Sequence, residues 1–109
     1  MAMGSYFLGA TVRIPLQVTE NGMALPENLS PKIKMIVKPD GTSAFGSPKN
    51  MSALSLADSA YYFDYTPDAL GDYVVIMTYV LEDVEFTTIE NFTVNSKTNM
   101  VYVPRAEAR

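Results

Sequence analysis

Hydrophobic and polar residues alternate over much of this chain of 109 residues, and this period of two constrains the fold more than any other feature. The clearest alternation runs from Ala10 to Thr19 and predicts a strand with one buried face. Pro15 falls on the opposite face and has no N–H to donate, so we expect this strand at a sheet edge or at a bulge. The apolar face consists of Val12, Ile14, Leu16 and Val18.

A second strand is predicted from Lys32 to Lys38. The alternation places Ile33, Met35 and Val37 on one face. The other face carries Lys32, Lys34 and Lys38 together with Ile36. The Pro39-Asp40-Gly41 sequence that follows predicts a sharp turn, because proline presets φ and glycine accepts the left-handed conformation.

Four further strands are predicted in the second half of the chain, near 51–56 and over 60–66, 73–81 and 85–95. The strand over 73–81 is apolar on both faces, so we expect it at the centre of a sheet. Leu81-Glu82-Asp83-Val84 predicts a tight hairpin after it. In the last strand a slip in the alternation near Ile89 to Asn91 suggests a bulge.

The number of short strands, about seven, together with turn signals every eight to twelve residues or so and no helical pattern, predicts an all-β antiparallel β-sandwich. Hydrophobic residues make up 48% of the chain and charged residues 18%, which is enough apolar surface for one core. We expect a single domain over residues 9–95, an N-terminal arm over residues 1–8, and a C-terminal arm or tail over residues 96–109.

Composition excludes several functional classes. The chain has no Cys and no His, so disulfides, thiolate or imidazole metal sites and imidazole catalysis are excluded. The 12 acidic against 8 basic residues give a net charge of -4, which disfavours binding to nucleic acid. No apolar run is long enough to span a membrane, and the start carries no export signal. We expect no cofactor and no enzymatic activity.

Two groups of acidic residues require an interpretation. Carboxylates gathered in sandwich loops can bind calcium, but the spacing here does not follow a calcium loop, so we interpret the first group as solubilising charge. Glu82 and Glu85 lie near a hairpin tip with no predicted cleft, which disfavours glycosidase chemistry. The first group consists of Asp58, Asp64, Asp68 and Asp72.

Tyrosines and methionines supply candidate surface residues. Tyr62 and Tyr102 are the tyrosines least constrained by strand period and the best candidates for a carbohydrate platform. Met23 and Met51 flank predicted turns, so we expect them to leave the core for a partner. The tyrosines predicted to face the core are Tyr61, Tyr65, Tyr73 and Tyr79.

The two terminal segments are the candidate partner-binding regions. A β-prone run near the C-terminus ends at Pro104, and it suits either a frayed tail or an arm that pairs with a neighbouring subunit by strand addition. The N-terminal segment has the same two interpretations. The candidate residues are Tyr6, Phe7, Leu8, Met100, Val101, Tyr102 and Val103.

Four segments combine turn and strand residues in a recognisable order. They are Tyr6-Phe7-Leu8-Gly9-Ala10-Thr11-Val12, Lys38-Pro39-Asp40-Gly41-Thr42, Tyr62-Phe63-Asp64-Tyr65-Thr66-Pro67 and Leu70-Gly71-Asp72-Tyr73. Together they resemble the immunoglobulin-like modules of bacteriophage virion proteins and bacterial surface proteins. The resemblance extends over residues 6–94. The chain departs from antibody domains, since it has neither their two cysteines nor a core tryptophan.

This resemblance implies an immunoglobulin-like sandwich that acts as a non-enzymatic virion structural protein. It would be a small capsid decoration or cement protein, or a tail or baseplate component, that assembles in the host cytoplasm. Its partners would be other virion proteins and further copies of itself, with neither nucleic acid nor membrane. The alternative is a bacterial surface adhesion or carbohydrate-binding module that uses the loops at Asn21-Gly22, Gly46-Ser47 and 68–72 as a rim.

Overall fold

The computed structural model describes residues 2–20, 22–24 and 29–96. These residues form strands joined by turns and loops, and none of them lies in a helix, so the all-β prediction is confirmed over this part of the chain. The strands are β1 (Ala2–Phe7), β2 (Val12–Gln17), β3 (Thr19–Glu20), β4 (Met23–Ala24), β5 (Lys32–Val37), β6 (Lys49–Asn50), β7 (Ser52–Ser55), β8 (Ala60–Tyr65), β9 (Gly71–Leu81) and β10 (Val84–Asn95).

Eight of these strands form two sheets. The larger sheet has five strands in the order β1-β10-β9-β5-β6, and the smaller has three in the order β2-β8-β7. β3 and β4 form a separate hairpin. Neighbouring strands are antiparallel except that β1 runs parallel to β10, which departs from the purely antiparallel sheet predicted. β9 lies at the centre of the larger sheet, as predicted.

One hydrophobic core lies between the two sheets, as in a β-sandwich. The smaller sheet contributes the apolar face of β2, whose buried residues are those that the alternation predicts. Pro15 pairs with Tyr62 in β8, and β2 has no neighbour on its other side among the described strands, so its edge position is confirmed. The larger sheet contributes Ile33, Ile36, Tyr73, Val75, Met77, Phe92 and Val94.

The faces of β5 differ from the prediction. Ile33 and Ile36 are both fully buried, whereas Met35 and Val37 are only half-buried. The pairing with β9 shifts between Ile33 and Met35, so the strand carries an extra residue there. This bulge moves Ile36 to the core side and turns Met35 away from it, so the predicted grouping of Met35 and Val37 with Ile33 is wrong.

The bulge predicted in the last strand is absent. β10 pairs with β9 without a shift from Val84 to Val94. The even-numbered residues Phe92 and Val94 are buried, and Ile89 lies on the opposite face. The apparent slip near Ile89 is therefore an apolar side chain on the outer face of a regular strand.

The turn after β5 forms as predicted. The Gly41 N–H donates to the Lys38 carbonyl at 2.8 Å, and the Lys38 N–H donates to the Thr42 carbonyl at 2.8 Å. Gly41 has a φ of 89°, in the region that favours glycine. The Asp40 carboxylate accepts hydrogen bonds from the Thr42 backbone and hydroxyl, which lowers the pKa of Asp40.

The N-terminal segment, predicted as an arm over residues 1–8, contributes β1 to the larger sheet through residues 2–7. The Leu8 N–H then donates to the Asn95 carbonyl at 2.9 Å, which anchors the end of this strand to β10. Of the predicted C-terminal arm, only Ser96 lies within the described residues. Within the described part of the chain there is no helix long and apolar enough to cross a membrane.

Candidate functional site

β1 presents an unprotected sheet edge. Among the described strands it pairs with β10 alone, so no described strand pairs with the backbone N–H and C=O groups on its other side. Its sequence, Ala-Met-Gly-Ser-Tyr-Phe, has no charged residue and no proline. Charged residues and prolines are the usual means by which proteins keep an edge from pairing with another chain. This edge can therefore accept a further strand.

The other sheet edges are each protected in a recognisable way. β2 contains Pro15, and its Arg13 makes an exposed ion pair with Asp64. β6 has only two residues, one of them Lys49. β7 has four residues, and its pairing with β8 shifts between Ala53 and Ser55. Short, charged or irregular edges pair poorly. β1 also has a shift in its pairing with β10, between Ala2 and Ser5, but residues 5–7 pair in register and include neither a charged residue nor a proline. This part of β1 is therefore the edge best suited to strand addition.

The predicted N-terminal candidates occupy different environments. Tyr6 is half-buried and packs its ring edge-on against Phe92, with ring centroids 5.8 Å apart. Phe7 and Leu8 are 37% and 39% exposed and lie together at the end of β1. Tyr6 therefore holds β1 to the core, while Phe7 and Leu8 are available for a partner. The remaining candidates, Met100, Val101, Tyr102 and Val103, lie outside the described residues.

A second surface, which the sequence analysis did not identify, covers the outer face of the larger sheet. Strand pairing places Ile76 of β9 between Met35 of β5 and Ile89 of β10, and it places Val74 beside Val37. Side chains alternate along β9, so these residues point away from the core that holds Tyr73, Val75 and Met77. We call Met35, Val37, Val74, Ile76 and Ile89 the outer stripe.

The outer stripe is accessible to solvent. Ile89 is 54% exposed and Val74 is 36% exposed, whereas the other three residues are half-buried by their neighbours. Met35, Ile76 and Ile89 form one row across three strands, and Val37 and Val74 form the next row, so the outer stripe is one continuous apolar surface. Contiguous apolar surface of this kind on a folded protein is a candidate binding surface.

The four aspartates of the first acidic group each have a separate partner. Arg13 donates to both carboxylate oxygens of Asp64 at 2.8 and 2.9 Å, which lowers the pKa of Asp64 and raises that of Arg13. The other contacts are Lys38 to Asp68 at 3.3 Å, the Thr93 hydroxyl to Asp72 at 2.7 Å, and the Ser55 hydroxyl to Asp58 at 3.1 Å. The described residues contain no group of three or more His, Cys, Asp or Glu side chains that could hold a metal ion.

The tyrosines and methionines follow the prediction in part. Tyr61 and Tyr73 are buried, and Tyr65 and Tyr79 are half-buried against the core. The guanidinium of Arg13 lies 4.0 Å from the centre of the Tyr62 ring and covers one of its faces. Met23 is 72% exposed, but Met51 is buried in the core, so the expectation that Met51 leaves the core is wrong. Tyr102 lies outside the described residues.

Several clefts lie on the surface of the described part, and two of them adjoin β5 and the turn after it. One, of about 510 Å³, lies beside β5 and β7 and is lined by Pro31, Met51 and Tyr61 among others. The second, of about 440 Å³, lies between the turn at Lys38 and the corner at Leu70, part of the loop rim proposed for a surface module.

Comparisons of the chain with protein-family models, with curated proteins and with solved structures find no match. The resemblance to phage immunoglobulin-like modules therefore remains a prediction from the sequence. The β1 edge and the outer stripe are two separate candidate interaction surfaces of the described part.

Proposed function

We propose that the chain is a non-enzymatic structural protein of a phage virion, either a small capsid decoration protein or a tail-associated protein, and that it stabilises a repeating assembly. The observation that carries this proposal is the unprotected edge of β1, which ends in the exposed side chains of Phe7 and Leu8. A neighbouring strand added there would satisfy the unpaired backbone groups and bury both side chains.

The strand order supports an immunoglobulin-like assignment. In that fold the sequential strands A to G form one sheet containing B, E and D and another containing C, F and G. Here β2, β8 and β7 correspond to B, E and D, while β5, β9 and β10 correspond to C, F and G. β1 pairs with β10 as an additional N-terminal strand.

A tyrosine near the start of β9 gives further support. The Tyr73 hydroxyl donates to the Ala69 carbonyl at 2.8 Å and accepts from the Ala69 N–H at 3.1 Å. Immunoglobulin-like folds place such a tyrosine at the start of strand F, two residues before the second cysteine. The residue at that position here is Val75, which is fully buried and fills the core where antibody domains have a disulfide.

Co-sedimentation with purified particles of the phage that encodes the chain tests the proposal. The variant Phe7→Lys/Leu8→Lys places two charges at the edge, which should weaken particle binding at least about 10-fold by opposing strand addition. Leu54→Lys/Leu70→Lys is the matched control, because it introduces the same charges at residues that are 62% and 50% exposed elsewhere. We expect the wild type and the control to bind alike.

Two results would overturn the proposal. One is a wild-type chain that does not sediment with particles at any ratio, and the other is an edge variant that binds as tightly as the wild type. Val101→Lys/Val103→Lys tests the predicted C-terminal arm in the same assay. Retention on a glycan array by a chain that ignores particles would favour the alternative of a bacterial surface adhesion or carbohydrate-binding module.

A further inference from the structure

We propose that the outer face of the larger sheet binds the same face of a second copy of the chain and forms a two-fold dimer. The outer face of the larger sheet has no part in the proposed function, which assigns particle binding to the β1 edge. The dimer would bury the outer stripe and pair charges that have no partner within the described part of one chain.

Charged residues of opposite sign lie on the two strands that flank β9, beyond the end of the outer stripe formed by Met35, Ile76 and Ile89. On the β5 side, Lys32 pairs in register with Thr78, and exposed Lys34 follows it at the bulge. On the β10 side, exposed Glu85 pairs in register with Val80. Neither Lys32 nor Glu85 makes an ion pair with any residue that the structure describes.

The two-fold axis of this dimer lies parallel to β9 and midway between the two facing sheets. In this arrangement the charges of the two copies come together. It places β5 of one copy against β10 of the other, so Lys32 lies level with the partner copy's Thr87. Thr87 and Glu85 are successive outward positions of β10, about 7 Å apart. An extended lysine side chain covers most of that distance, so each Lys32 can reach the Glu85 of the other copy.

Symmetry therefore selects a second copy as the occupant. The axis sets the positive residue on β5 of one copy against the negative residue on β10 of the other, and it forms the same ion pair twice, once on each side of β9 at one end of the outer stripe. A partner carrying charge of one sign would match one side of the stripe and repel the other. A second copy also covers Ile76 and Ile89 with side chains of the same kind.

The size of the face predicts a weak dimer. Three strands about 5 Å apart and five outward positions on β9 give a surface of about 15 by 25 Å. That is about half of the 800 Å² per partner that stable complexes commonly bury. We therefore expect a dissociation constant between about 10 μM and about 1 mM for the isolated chain. In a repeating assembly, where neighbouring copies are held close together, the same contact would be strengthened by effective concentration.

Sedimentation equilibrium of the full chain between about 10 μM and about 1 mM measures the dimer. Ile89→Glu should raise the dissociation constant at least about 10-fold, because it places a carboxylate within the buried stripe. Leu54→Glu is the control, since it makes the same chemical change on β7 of the other sheet and should leave the constant unchanged. A wild-type chain that stays monomeric at about 1 mM, or an Ile89→Glu variant that dimerises like the wild type, overturns the proposal.

A charge exchange tests the two-fold geometry separately. Lys32→Glu and Glu85→Lys should each weaken the dimer, and the double variant should restore it, because the ion pair between copies is re-formed with its signs reversed. A double variant as weak as the single variants would contradict the axis along β9. Circular dichroism and urea unfolding of each variant verify that the fold is retained.

The two proposals can fail independently. Ile89→Glu should weaken the dimer at least about 10-fold while the chain still sediments with phage particles through β1. Loss of particle binding by the wild type leaves the dimer measurement unaffected. Self-association that is lost in Phe7→Lys/Leu8→Lys but kept in Ile89→Glu would assign the contact to β1 and overturn the face-to-face dimer.

Discussion

Gly71 is a residue whose lack of a side chain is required by its surroundings. It begins β9 with a φ of 123°, a conformation that L-residues rarely adopt. A Cβ added there would lie 2.8 Å from the Pro39 Cβ and 2.9 Å from its Cγ. The start of the central strand and the turn after β5 are thus packed against each other at a distance that only glycine permits.

Replacing Gly71 by alanine should lower the free energy of unfolding by about 2–4 kcal/mol, because both the strained φ and the contact with Pro39 must be relieved. Urea unfolding measures the change. Gly46→Ala is the matched control, since a Cβ at Gly46 meets nothing within 4 Å and its φ is not in the left-handed region. An equal fall in the free energy of unfolding in the two variants would contradict a specific requirement for glycine at position 71.

The Arg13–Asp64 pair should make stability depend on pH. The hydrogen bonds from Arg13 hold the pKa of Asp64 below its ordinary value of 3.8 in the folded chain, and unfolding restores that value. The stabilisation is therefore complete at pH values well above 3.8 and is lost as the pH falls through 3.8 and then through the lower folded pKa. Asp64→Asn should show a smaller fall in the urea midpoint between about pH 5 and about pH 2. Parallel pH profiles for wild type and variant would contradict the assignment.

At the scale of strands, the sequence was informative where the period of two is unbroken. The apolar residues of β2 are buried and Pro15 lies at an edge, because both follow from the alternation and from the missing N–H. β5 was assigned the wrong faces, since a bulge adds one residue without any composition that marks it. β1 was not predicted as a strand, because it has no alternation and its partner β10 lies far along the chain.

The candidate surfaces were predictable to different degrees for related reasons. Phe7 and Leu8 were candidates because they lie in a terminal segment that suits either a frayed end or a partner-binding arm; they are 37% and 39% exposed, and their role in partner binding stays a prediction. The outer stripe was missed, because apolar residues on both faces of β9 were taken to mean burial of both. A central strand has neighbours on either side, but nothing in its sequence says whether a second layer covers its outer face.

The hairpin between β9 and β10 contains a turn that can be improved. Glu82 and Asp83 form a two-residue connection, and both have positive φ, at 52° and 64°. Such turns favour Asn-Gly, since glycine adopts positive φ without strain. Asp83→Gly should raise the free energy of unfolding by about 0.5–1 kcal/mol, measured by urea unfolding. Asp83→Ala removes the same charge, but alanine does not adopt positive φ without strain, so it should not raise the free energy of unfolding. If both variants raise it, the removed charge is the cause and not the φ of the turn.

At the scale of the whole molecule, aromatic rings connect the two sheets. Tyr73 of β9 stacks on Phe92 of β10 with centroids 4.9 Å apart, and it meets Tyr65 of β8 at 6.1 Å. Phe45, in the loop between β5 and β6, packs edge-on against Phe63 and Tyr65 at 5.7 and 5.9 Å. The loop belongs to the larger sheet, and its Phe45 ring packs against β8 of the smaller sheet. It thereby covers one side of the core.

Removing that ring should weaken the contact between the sheets. Phe45→Ala is expected to cost about 2–4 kcal/mol in the free energy of unfolding, near the lower end for an aromatic core residue because Phe45 is half-buried. Leu70→Ala, which truncates a side chain that is 50% exposed, should cost under about 1 kcal/mol. Calorimetry of both variants measures this difference, and a Phe45→Ala variant as stable as Leu70→Ala would show that the loop contributes nothing to closure.

The parallel pairing of β1 with β10 determines how the fold responds to mechanical load. Tension applied between the N-terminal end of β1 and the C-terminal end of β10 would pull these neighbouring strands in opposite directions along their length. The hydrogen bonds between them would then be sheared together, whereas an antiparallel pair pulled from adjacent ends opens one bond at a time. A subunit held through these two strands would therefore resist stretching best along the strand axis.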